Sequence, residues 1–128
     1  MNAKKKARIL VVEDDADTLA ALSERLQAEG YTVLEANTGE SAIHQAKSEI
    51  PDLLLLDVCL PGIGGGEVSS ALRADPATKR IPAIYLTALF TKRHEAKYGS
   101  SQTLAKPIEM PKLIATIEST LLGAATQS

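Results

Sequence analysis

The 128 residues, 45% hydrophobic and 23% charged, suit one domain that buries roughly two thirds of its unfolded surface. A net charge of −2 gives no general drive toward DNA or an anionic membrane, and no apolar stretch approaches the ~20 residues of a membrane helix. Cys59 is the single cysteine, which excludes an internal disulfide and a cysteine-based metal cluster and leads us to expect a cytoplasmic protein without a signal peptide. The basic start at Lys4, Lys5, Lys6 and Arg8 reads as a solvated tail rather than a nucleic-acid arm.

Arg8 to Val12 is the first apolar, strand-like run, and it stops at Glu13 and Asp14. Leu19, Leu22 and Leu26 recur at helical spacing after it, with Asp15 and Asp17 near the positive end of the macrodipole and Gly30 as a left-handed stop. Tyr31 to Leu34 reads as a second strand. A helix from about Gly39 to Ser48 follows, with Thr38 as N-cap and Ala42, Ile43 and Ala46 facing inward. After Pro51-Asp52, four consecutive leucines from Leu53 to Leu56 lack alternation, as a central parallel strand buried on both faces requires. That run stops at Asp57. A glycine-rich loop from Pro61 to Gly66 leads to a helix through Val68, Ala71 and Leu72, which Asp75-Pro76 ends. Ala83 to Leu86 is a strand that stops at Thr87, and Thr103 to Ala105 one that stops at Lys106. Between these, Leu89 to Tyr98 is either a short polar helix or an irregular loop. A last helix begins near Pro111, shows Leu113, Ile114, Ile117 and Leu121 on one face, and frays from Gly123 onward.

Strands alternating with helices predict a doubly wound parallel α/β sheet in three layers. In such sheets ligands bind beyond the carboxyl ends of the strands. Glu13, Asp14, Asp57, Thr87 and Lys106 all fall at that edge. Two unit charges 4 Å apart repel by roughly 4 kcal/mol at an effective dielectric of about 20, so three carboxylates there need neutralising. One ammonium, Lys106, is too little, and a hard divalent cation with oxygen ligands, Mg²⁺, fits the remainder. Beside it, Asp57 is the expected nucleophile and acceptor of a phosphoryl group, being the deepest carboxylate by sequence. Lys106, Thr87 and the metal would each hold a phosphoryl oxygen, with Glu13 and Asp14 on the metal. Each residue has a plainer role open to it: Asp14 or Asp15 as a helix cap, Thr87 as a strand-end hydroxyl, Lys106 as a surface lysine. An unpartnered aspartate after four leucines is costly, which leaves Asp57 the hardest to explain plainly.

With these residues in place the chain resembles the response-regulator receiver domains of two-component signalling. The resemblance rests on the strand into Glu13-Asp14, the four leucines into Asp57 with Pro61 and Gly65 beyond, Thr87-Ala88 and Lys106-Pro107, and spans about residues 7 to 122. It implies a single receiver domain over residues 1–128 with short terminal tails, and a flavodoxin-like five-stranded sheet of order 2-1-3-4-5. It implies that Asp57 accepts a phosphoryl group from a sensor histidine kinase or a histidine phosphotransfer protein. Glu13, Asp14, Asp57 and the backbone carbonyl of Cys59 would bind Mg²⁺, Thr87 and Lys106 would contact the phosphoryl group, and Lys106-Pro107 would be cis. Such a protein is a signalling switch for a downstream protein target, not a turnover enzyme.

The departures from the family lie on the output side. Receivers usually carry Tyr or Phe where this chain has Thr103, so an aromatic rotamer switch is not expected, and the segment from Thr87 to Lys106 is short by about one helical turn, 3.6 residues. Gly64 and Gly66 make a mobile loop after Asp57. A receiver-like module that binds without phosphorylation is the nearest alternative. A Mg²⁺ phosphohydrolase with an aspartyl nucleophile is further off, since such enzymes place a second acid where this chain has Cys59. Cys59 itself reads as a small buried-type residue, and His44 and His94 as solvated helix positions. Cys59 and Leu89 occupy positions that tune water attack on the phosphoryl group in receivers, and neither orients water. Slow self-dephosphorylation is therefore expected: the phosphorylated wild type should outlive Cys59→Asn/Leu89→Glu in a decay assay, and equal half-lives would contradict it.

Overall fold

The structure, a computed structural model, describes residues 7–60, 62–88 and 103–127. The segment expected from Leu89 to Tyr98, with His94, lies outside the described residues, as does Pro61. Five strands, β1 (Arg8–Val12), β2 (Thr32–Ala36), β3 (Leu53–Asp57), β4 (Ala83–Thr87) and β5 (Thr103–Ala105), form one parallel sheet in the order β2-β1-β3-β4-β5. Four helices accompany them among the described residues: α1 (Ala16–Ala28), α2 (Gly39–Glu49), α3 (Gly65–Arg73) and α4 (Met110–Gln127).

The period of two along each strand sorts the apolar residues into two cores, one on each face of the sheet. Ile9, Val11, Leu53, Leu55, Ile84 and Leu86 turn toward Leu22 and Leu26 of α1 and Leu113 and Ile117 of α4. Leu10, Val12, Leu54, Leu56 and Tyr85 turn toward Ala42 and Ala46 of α2 and Val68 and Leu72 of α3. The leucines of β3 serve both cores, and none is more than 2% exposed. This double burial is why the run lacks alternation, and it sets Asp57 at the end of the most enclosed strand.

Caps fix where the helices begin. Asp15 accepts hydrogen bonds from the Thr18 backbone N–H at 2.9 Å and the Thr18 hydroxyl at 2.6 Å, and Thr38 accepts from the Ser41 N–H at 3.0 Å. At the other end of α1, Gly30 has φ +99°, the left-handed stop its sequence position predicts.

Two boundaries and one burial differ from expectation. The second strand starts at Thr32, because the Tyr31 N–H is taken by the Leu26 carbonyl at the end of α1, and the ladder opens with Thr32 N–H to the Ala7 carbonyl at 3.0 Å. The last helix does not fray at Gly123 but runs to Gln127. One glycine costs a helix only about 1 kcal/mol, and Ala124 and Ala125 beyond it are the best helix formers. Cys59 is exposed rather than buried, since it lies past the end of β3 on the open edge of the sheet.

Leu55 is fully buried at the centre of β3. Leu55→Ala should lower the unfolding free energy by about 2–5 kcal/mol, read from urea denaturation, and a loss well under 1 kcal/mol would contradict the tight core described here.

Candidate functional site

Each predicted site residue sits at the last position of a paired strand or one or two steps past it. The backbone N–H of Glu13 bonds the carbonyl of Ala36 at the end of β2, 3.1 Å away, which holds Glu13 at the carboxyl-end edge of the sheet. The Val58 N–H bonds the Leu86 carbonyl at 2.9 Å, so β3 stays paired to β4 through Asp57. The Lys106 N–H bonds the Thr87 carbonyl at 2.8 Å, which brings the ends of β4 and β5 together. The Lys106–Pro107 peptide bond is cis, as the resemblance implies.

The side chains converge accordingly. Carboxylate oxygens of Glu13, Asp14 and Asp57 all lie within 4.8 Å of one another. The Lys106 ammonium donates to Glu13 Oε1 at 2.7 Å and to Asp57 Oδ2 at 3.1 Å, bridging residues far apart in the chain. The other oxygen of Asp57, Oδ1, accepts the Cys59 backbone N–H at 3.0 Å. The Asp57 carboxylate is thus held from two sides and its rotation is set. Thr87 is fully buried one position beyond the Asp57–Leu86 pair.

Positive charge is in short supply here. Burial, and then the neighbouring Asp57, push Glu13 up to about 7, against the pull of Lys106. Burial opposes the charge of Lys106 too, but its hydrogen bonds to Glu13 and Asp57 prevail and hold the ammonium above the usual lysine range. With Glu13 and Asp57 buried and Asp14 exposed, the cluster offers only oxygen donors and keeps one side open to water. That donor set fits a hard divalent cation such as Mg²⁺, which binds carboxylates and retains waters.

Glu13, not Asp57, is the deepest of the three carboxylates, at 1% exposure against 4%. The Ala36 bond and the Lys106 bridge draw it inward, and neither is visible from the length of the preceding strand. Lys106 is no surface lysine. The capping alternative holds for Asp15, whose carboxylate serves Thr18, whereas the Asp14 carboxylate joins the cluster and its own N–H bonds Glu13 Oε2 at 3.1 Å. His44 is exposed on α2, as expected. Sequence reasoning missed the Cys59 N–H as a support for Asp57, because a backbone donor leaves no mark on residue type.

Residues 9–118 match the family described as the response regulator receiver domain. Among curated relatives, the response regulator PleD of Caulobacter vibrioides is 39% identical over 116 residues, covering 88% of this chain but 26% of PleD. Protein PilH of Pseudomonas aeruginosa is 33% identical over 123 residues, covering 91% of this chain and 99% of PilH. The chain therefore spans about a quarter of PleD and nearly all of PilH. Among solved structures, the chemotaxis response regulator CheY4 of Vibrio cholerae superposes with a TM-score of 0.82 at 27% identity, over 90% of this chain and 98% of that one. Fold, edge cluster and relatives agree, and the chain belongs to the response regulator receiver domain family of two-component signalling.

Proposed function

We propose that this receiver is a phospho-accepting switch that takes a phosphoryl group onto Asp57 from the phosphohistidine of a sensor histidine kinase or a histidine phosphotransfer protein. An oxygen of the Asp57 carboxylate attacks phosphorus, the O–P bond forms as the P–N bond breaks, and the leaving imidazole takes up a proton. Lys106 and the Thr87 hydroxyl hold phosphoryl oxygens and offset their charge. Glu13, Asp14, Asp57 and the Cys59 backbone carbonyl are the residues that would hold Mg²⁺. When bound, the ion supplies charge neutralisation for the carboxylates and the incoming phosphoryl group. The product is a changed surface for a downstream protein, so the chain acts as a signalling switch rather than a turnover enzyme.

The observation that carries this reading is the Lys106 ammonium bridging Glu13 and Asp57 at 2.7 and 3.1 Å, with Asp14 in the same cluster. Three carboxylates around one ammonium disfavour folding unless a cation offsets them, which favours a site that works with a bound divalent ion over an inert surface. The residue two after Asp57 is Cys59, with no carboxyl to protonate a leaving group, which counts against a phosphohydrolase.

Incubation with acetyl phosphate and Mg²⁺ should add one phosphoryl group to the wild type by intact mass and none to Asp57→Asn. Lys106→Met should slow the reaction by about 10²-fold or more, the usual cost of removing one charge-stabilising donor. A wild type that stays unmodified, and does not take up a stable phosphoryl mimic either, would overturn the proposal.

The metal has a separate signature in stability. The folded pKa of Glu13 is raised from 4.5 to about 7, so the folded state keeps a proton that the unfolded chain releases. Its contribution to stability is full below pH 4.5 and is lost as pH rises through about 7. In chelator the Tm should carry that downward slope, Glu13→Gln should flatten it, and excess Mg²⁺ should raise the Tm most at the alkaline end. A Tm indifferent to Mg²⁺ at every pH would count against the metal site.

A further inference from the structure

The loop after Asp57 is held between two helix starts. On one side, a Cβ at Gly65, the first residue of α3, would lie 2.8 Å from the Asp57 carbonyl oxygen and 3.0 Å from Val58 Cα. On the other, a Cβ at Gly39, the first residue of α2, would overlap Ile63 Cγ1 and lie 2.9 Å from both Ile63 Cδ1 and the Ile63 carbonyl oxygen. Gly39 has no positive φ. What glycine supplies at position 39 is therefore space, not conformational freedom.

The two bodies in that contact differ in how readily they yield. Helix α2 is seated by Ala42 and Ala46, both 0% exposed in the core under β1 and β3. Close packing of that kind leaves no slack for a shift. The loop is softer: Gly62 sits at φ +74° and Gly64 is the N-cap of α3 without a side chain. It is pinned at its ends by Val58 N–H on the Leu86 carbonyl at 2.9 Å and Gly65 N–H on the Val58 carbonyl at 3.1 Å. Between those pins lies Cys59, whose N–H holds Asp57 Oδ1 at 3.0 Å. Anything that pushes Ile63 away from α2 strains the piece of chain that carries Cys59.

We propose that Gly39 is a positioning residue of the phosphoryl and metal site: its absent side chain lets the Asp57 loop rest on the first turn of α2 through Ile63, and that rest sets where Cys59 lies against Asp57. The inference builds on the function proposed above, and adds a residue that touches neither metal nor phosphoryl group. It also makes the start of α2 a place from which the site can be altered.

The test is Mg²⁺ titration of wild type, Gly39→Ala and Gly39→Ala/Ile63→Ala, followed by amide NMR shifts at Cys59, with thermal melts of the metal-free proteins in parallel. Gly39→Ala should bind Mg²⁺ about tenfold more weakly, in the range typical of supporting groups around a metal site, and shift the Cys59 amide. The double variant, relieved of the overlapping side chain, should bind more tightly than Gly39→Ala. A purely structural role would move the melting temperature and leave affinity and the Cys59 amide unchanged, and that result overturns the proposal. If Gly39→Ala does not fold, Ile63→Ala alone decides: removal of the rest should weaken Mg²⁺ binding and move the Cys59 amide, and unchanged values overturn the proposal equally. Wild type that does not bind Mg²⁺ would instead overturn the proposed function on which the inference rests.

Discussion

Three carboxylates at the edge of one sheet, with a single ammonium between them, are the constraint around which this molecule is arranged. Left to themselves Glu13, Asp14 and Asp57 would repel, and the sheet edge would open. Lys106 closes it by reaching from just past β5 to the side chain that follows β1 and the one that ends β3. The bridge ties three strands together at the point where their ladder ends. It is still one charge against three, and Glu13 responds by holding its proton up to about pH 7. A site so short of positive charge is a site that gains by taking a divalent cation, and that gain is the physical argument for the proposed metal.

The rest of the fold serves that edge. The two cores of alternating residues press on the sheet from both faces, and β3, which belongs to both, has no freedom to slide. A slip of one residue would turn its whole side-chain set over and carry Asp57 out of reach of Lys106. The caps act in the same direction. Asp15 is used by Thr18 at the start of α1, which leaves Glu13 and Asp14 to the site, and Thr38 starts α2 where Gly39 can meet the loop. Rigid strands and correctly started helices set the site's geometry before any ligand arrives.

Much of this was legible in the sequence because it is written in residue type. Five strands and their parallel pairing follow from apolar runs alternating with helices, and Asp57, Thr87, Lys106 and the acidic pair from the polar residues at which four of those runs stop. Features written in the backbone or in shape were not legible. Tyr31 looks like a strand residue until its N–H is found on the Leu26 carbonyl. Gly123 looks like a helix stop, yet nothing obliges the chain to leave the helix there. Cys59 has the composition of a core residue, and only its place past the end of β3 exposes it. Gly39 reads merely as a helix start, because the overlap that demands it involves Ile63, far along the chain.

That contrast bears on how a change at Asp57 can leave the site. On the β5 side, Thr103 is buried opposite Tyr85 and carries no ring to trade between two positions, while the Tyr85 hydroxyl is engaged with the Ser69 hydroxyl at 2.8 Å. On the loop side, Asp57 is bonded to Cys59, the loop abuts Gly39 through Ile63, and α3 begins against the Asp57 carbonyl. A displacement passes through atoms already in contact and is lost where a side chain can yield. Among the described residues, close contacts join Asp57 and Val58 to the start of α3 and Ile63 to the start of α2. Among the described residues Thr103 supplies no ring on the β5 side, whereas the loop after Asp57 is in close contact with the starts of both α2 and α3.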